Sequence, residues 1–231
     1  MIERFSIAVP AGLLASRFAV EEPIAYQPKY NGAPSQLFPL ITSEDPQGFS
    51  FFYWGLPPSW AKNKSMAERI INWRSEQILE KPALKKKLSK HRCLVPADGF
   101  YVWKKVGKKT QIPWRFTLKS KELFSIAGVW EEYEDENESF HTFSIITIPA
   151  TGFVQTASER MPLILTKAQE AIWLQSEVSE LELDSVLTSV FAEAMDGYTV
   201  SPQINSIEAD RPSLMLPMPA ADQFGNLTLF D

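Results

Sequence analysis

Few side chains in this sequence are placed to make or break bonds. The two histidines, His91 and His141, lie fifty residues apart and offer no metal-ligand spacing. The single cysteine, Cys93, has no partner for an intrachain disulfide and forms no thiolate cluster. It sits in an apolar, β-type run, the setting of a buried small hydrophobe rather than a reactive thiol. A Ser/His/Asp set can be written from Ser158, His141 and Asp98, but nothing flanks Ser158 in the manner of a nucleophile elbow. Gly107-Lys108-Lys109-Thr110 lacks the upstream glycine and the Lys-Ser/Thr pair of a phosphate loop. Neither a metal nor a cofactor is expected.

Charge is the more informative property. A net charge of −5 disfavours a nucleic-acid partner, yet residues 1–120 carry 19 Lys+Arg against 9 Asp+Glu. Residues 121–231 carry 4 against 19. Such asymmetry permits a basic face on an acidic protein. Lys85-Lys86-Lys87, and Lys104-Lys105 followed by Lys108-Lys109, either build that face or are solvated helix and hairpin surfaces. With 45% hydrophobic and 22% charged residues the chain reads as globular, neither disordered nor collagen-like. Apolar runs such as Phe143-Ser144-Ile145-Ile146-Thr147-Ile148 are too short to span a bilayer. No basic-then-apolar signal segment precedes the domain, so an intracellular, cytoplasmic protein is expected.

The elements that position these residues follow from periodicity and punctuation. Apolar spacing predicts a helix over 12–20, ended by Pro23, and then a loop from Gln27 to Gln36 rich in Pro, Gly and Asn. Phe49 to Trp54 reads as a buried strand entering the rigid turn that carries Trp60. Helices are predicted over 66–70 and 75–90, with Pro82 as a break or first-turn residue. The middle is strand-rich: 92–95, 99–105, 114–118, 124–130 and 140–148 have β-type composition between turn signals. Thr166 is placed to cap a helix running to about Leu174, and a second helix is expected over 181–195 with Leu183, Val186, Leu187 and Val190 on one stripe. The tail from about residue 202, dense in proline, is expected to wrap the surface. These elements give one α+β domain over 1–231.

Several separated blocks occur together and in order: Met1-Ile2-Glu3-Arg4-Phe5, Tyr30-Asn31-Gly32-Ala33-Pro34, Ile71-Asn72-Trp73-Arg74, Arg92 through Trp103, and Arg160-Met161-Pro162-Leu163-Ile164-Leu165. In this the chain resembles the SOS-response-associated peptidase (SRAP) family of abasic-site processing proteins. The resemblance runs from Met1 to about Asn205 and implies a compact domain with a mixed, strongly curved β-sheet core and flanking helices. Members of that family begin Met-Cys-Gly-Arg-Phe. Their cysteine thiol and α-amine trap the aldehyde of an abasic site in single-stranded DNA, and the same nucleophile is thought to remove short leader peptides. A glutamate in a Gly-Phe-Tyr-Glu-Trp motif and a histidine in a His-Asp-Arg-Met-Pro motif complete the set.

Here Ile2, Val102 and Ser158 stand at those three positions, with Glu3 and Glu159 beside them. No intact catalytic residue is implied, and the Met1 amine is the one residual nucleophile. Positions that the resemblance assigns to the single-strand channel are Arg4, Asn31, Pro34, Trp60, Asn72, Arg74, Thr147 and Arg160. The arginines suit phosphates and Trp60 suits a base; each also has a structural alternative, such as pairing with local acids or satisfying loop backbone. Three functions compete: a degenerate SRAP-type protein holding single-stranded DNA non-covalently, an enzyme using the Met1 amine, and a surface for a protein partner or paralogue. No membrane partner is expected.

Overall fold

The computed structural model describes residues 1–56, 71–134, 139–189, 191 and 195–228. In chain order the elements are β1 (Arg4–Ile7), α1 (Ala11–Phe18), β2 (Lys29–Gly32), β3 (Leu37–Thr42), β4 (Ser50–Trp54), β5 (Asn72–Arg74), α2 (Ser75–Glu80) and α3 (Pro82–Leu88). Then follow β6 (Arg92–Ala97), β7 (Gly99–Val106), β8 (Thr110–Leu118), β9 (Phe124–Glu134), β10 (Ser139–Pro149), β11 (Arg160–Pro162) and β12 (Ile164–Leu165). The chain ends through α4 (Lys167–Trp173), α5 (Glu180–Leu187) and β13 (Met195–Thr199), followed by 3-10 turns at Pro202–Asn205 and Pro212–Met215. Among the described residues no helix is long and apolar enough to cross a membrane.

Two sheets result. The first is antiparallel throughout, in the order β13-β8-β7-β1-β2. In the second, β10 pairs in parallel with β4, and the path continues antiparallel through β3, β6 and β9 back to β10. That circuit closes into a partial barrel and so leaves few free strand edges. β10 is long enough to serve two sets of partners. Its first half lies between β9 and β4, and its second half between β5 and β11. Phe5 joins the sheets, its ring 4.5 Å from Phe38 and 5.0 Å from Trp54. Fully burying a side chain of that size stabilises the fold by about 2–3 kcal/mol.

Local signals act as the sequence suggests at several ends. Thr166 and Gln169 form a capping box on α4, Ser179 and Glu182 form another on α5, and Pro82 opens α3 where the chain breaks at Lys81. The 27–36 loop needs correction: Lys29–Gly32 is a strand, because β1 supplies an antiparallel partner. The helix expected over 181–195 stops at Leu187, and Met195 begins a strand. Pairing of Met195 through Thr199 with Leu118 through Trp114 completes the edge of the first sheet and outweighs the helical stripe. Residues 66–70 and Val190 lie outside the described residues. The tail packs Ile204 and Leu214 with Tyr101 and Val200 in a small apolar cluster of its own.

Candidate nucleic-acid interface

The second half of β10 assembles most of the cations and amides singled out in the sequence. Thr147 stands opposite Arg74 of β5 and Pro162 of β11, and Pro149 stands opposite Arg160. Thr147 is buried, and its hydroxyl donates to the Trp73 carbonyl and accepts from Arg160 Nε, both at 3.1 Å. Asn72 sends its amide NH2 to the Ile2 carbonyl at 2.7 Å, tying the first residues of the chain to this ribbon. Arg74 is exposed, and no carboxylate among the described residues forms an ion pair with it.

Arg160 is held more firmly. Its NH1 and NH2 reach the two Glu76 oxygens at 2.9 and 3.0 Å, while NH2 also donates to the Thr147 carbonyl at 2.6 Å. Counting the Nε–H, four of its five N–H donors are in use. The Arg160 guanidinium holds the Glu76 carboxyl below the usual carboxylate range, against the raising effect of partial burial. Glu76 is the residue that sequence reasoning missed; an acid two positions after Arg74, on the first turn of α2, was the available signal.

The chain start lies beside this group. Ile2 and Val102 are both buried in the main core, with 0% and 2% exposure, so neither offers a polar atom to a ligand. Ser158 bonds only its own turn, donating to the Arg160 carbonyl and accepting from the Arg160 N–H. Met1 is exposed, but its α-amine is partly desolvated. That desolvation lowers its pKa, Arg160 and Arg74 lower it further, and Glu3 and Glu159 oppose them. Arg4 donates to the Glu3 carbonyl at 2.7 Å, and burial lowers its pKa despite the Glu3 charge.

Asn31 behaves differently. It is fully buried, and its amide NH2 faces the carbonyls of Ile204, Ser206 and Ala209 at 2.8–3.2 Å, so it fastens the tail rather than facing solvent. Pro34 is half-buried just beyond it, and Trp60 lies outside the described residues. Ser158, His141 and Asp98 are not brought together. His141 stacks on Phe52 at 4.8 Å near one end of β10, Ser158 lies past the other end, and Asp98 pairs with Arg115. Cys93 is fully buried, and burial pushes its thiol pKa up. Among the described residues no group of three or more His, Cys, Asp and Glu could hold a metal.

The arrangement thus sets the exposed Arg74 and the partly desolvated Met1 amine beside buried, apolar Ile2. Comparison with known proteins gives it a context. The family model of the SOS response associated peptidase (SRAP) matches residues 1–207. The abasic site processing protein YoqW of Bacillus subtilis is 38% identical over 193 residues, covering 82% of this chain and 86% of YoqW. The abasic site processing protein HMCES of Gallus gallus is 30% identical, covering 84% and 67%. A crystallised protein from Bacteroides thetaiotaomicron superposes with a TM-score of 0.79 at 27% identity, covering 93% of this chain and 99% of its own. With a matching model over nearly its whole length and relatives above 30% identity, the chain belongs to the SRAP family.

Proposed function

We propose that this SRAP-family protein binds single-stranded DNA non-covalently and does not form the covalent adduct that the family resemblance implies. The observation that carries the reading is Arg74. Pairing of β5 with β10 sets Arg74 opposite Thr147, its side chain exposed and in no ion pair among the described residues, while the nucleophile and carboxylate positions hold buried Ile2 and Val102. A site of that kind attracts phosphate and has no thiol to attack an aldehyde. In anisotropy measurements on a fluorescent single strand, Arg74→Ala is expected to weaken binding about tenfold and flatten the salt slope by about 0.7. Binding without salt dependence, or an unchanged affinity in the variant, refutes the reading. Arg160→Ala is a poorer probe, because Glu76 and Thr147 already take most of its donors.

A second reading is favoured by the lowered pKa of the Met1 α-amine. A neutral amine adds to the aldehyde of an abasic site and loses water to give an imine. Borohydride reduces that imine to a stable secondary amine. Since the ordinary pKa of the group is 8.0 and the site lowers it, the free-base fraction rises at lower pH than for an exposed amine. The trapping rate should therefore reach half its maximum at a pH below 8.0, lower than for an exposed peptide amine. Absence of any borohydride-dependent band on a denaturing gel removes this reading and leaves the first.

A further inference from the structure

Folding pairs part of the basic half of the chain with acids of the other half. Arg17 pairs with Glu170, Lys29 with Asp210, Lys85 with Asp184 and Lys87 with Glu131, so the acidic half supplies the partners of the basic half. One compact cluster of cations stays outside these pairs. Lys104, Lys105, Lys108 and Lys109, on the hairpin of β7 and β8, have no ion-pair partner among the described residues. Asp222, next to the residue that clamps this hairpin, turns its carboxylate onto the N–H groups of Phe224 and Asn226.

The hairpin is also built as a site rather than left as a loose arm. Gln223 of the tail donates to the Lys109 carbonyl at 2.7 Å and accepts from the Gln111 N–H at 2.8 Å. The Lys104 ammonium lies 5.6 Å from the centre of the Trp114 ring. Between the hairpin and the tail is a cavity of about 320 Å³, lined by Lys104, Lys105, Ile112, Trp114 and Thr199 among others. It could take a phosphate with part of a sugar.

Register connects this cavity to the interface. Arg4 of β1 lies opposite Tyr101 of β7, and β7 runs on from there through Val102 to Lys104 and Lys105. At about 3.3 Å per residue, the hairpin turn stands about 16 Å beyond Val102, a few nucleotides along a strand. We infer that the β7–β8 hairpin is a second phosphate-backbone contact, extending the path of a DNA strand outward from the interface at Met1 and Arg74. The inference rests on the single-strand reading for the identity of the polymer.

The test uses the full chain and two fluorescent single strands, of about 3 and about 20 nucleotides, below and above the usual footprint of a single-strand-binding domain. Replacing all four lysines by glutamine is expected to weaken binding of the long strand about tenfold. The salt slope should fall by about 2–3, with the short strand little affected and binding restored by arginine at the four positions. Long-strand binding unchanged by the four substitutions overturns the inference while leaving the Arg74 interface standing. Loss on Lys→Gln with no effect of Arg74→Ala supports the hairpin and sinks the interface reading. No binding of either strand to the native chain overturns both.

Discussion

Arg92→Met is expected to lower the unfolding free energy by about 3–5 kcal/mol, the size of effect reserved for a buried polar network broken at its centre. Arg92 is fully buried and has no carboxylate partner among the described residues. Its guanidinium instead donates to Leu88 and Ser89 at the end of α3 and to Trp173 and Gln175 at the end of α4. One cation thereby satisfies the orphan carbonyls of two helix C-termini, where helix dipoles favour positive charge. Burial lowers its pKa, but a guanidinium stays charged. Lysine should recover little, since a single ammonium does not span both helix ends. Urea denaturation checks this: a loss under about 1 kcal/mol would mean that water or neighbouring donors replace the guanidinium. Affinity for a single strand, measured per folded molecule, should be unchanged, because α3 and α4 supply none of the interface residues.

How much of this was legible follows from which forces were local. Thr166 with Gln169, Pro82 and the β-type composition of the strands from Arg92 onward are local signals, so the sequence predicts them. β2 was not legible, because Pro28, Asn31, Gly32 and Pro34 read as turn residues. It becomes a strand through β1 and through Asp210, which accepts from the N–H groups of Tyr30 and Asn31 across about 180 positions. The same distance effect misplaced Asn31, whose type suits a phosphate or a base but whose amide the tail carbonyls use. The Arg160–Glu76 and Arg115–Asp98 pairs were invisible for a different reason. Spacing along a chain does not show which acid a buried arginine meets. The family resemblance named the candidate positions, while the degree to which each cation is free came from the structure.

That separation of position from freedom makes Asp98 the residue whose loss should affect both stability and binding. Asp98 closes β1 onto β7: one carboxylate oxygen accepts from Ser6 Oγ and Arg115, the other from the Ala8 N–H at 2.8 Å. Arg115 continues the network to the Tyr198 hydroxyl at 3.0 Å, and that hydroxyl donates to the Met215 carbonyl in the tail. Burial lowers the pKa of Arg115, but Asp98 together with Tyr101 and Tyr198 outweighs it and the net shift is upward. Glycine is needed next door, since a Cβ on Gly99 would lie 2.7 Å from the guanidinium. Asp98→Ala strands that cation in the core and should cost about 3–5 kcal/mol. It should also weaken single-strand binding, because β1 carries Arg4 and sets the path of Met1 to Glu3. The double change Asp98→Leu with Arg115→Met separates the two effects, as an apolar pair of similar volume often restores stability. If stability returns while affinity stays low, the network positions the interface; if affinity returns with it, Asp98 serves the fold alone.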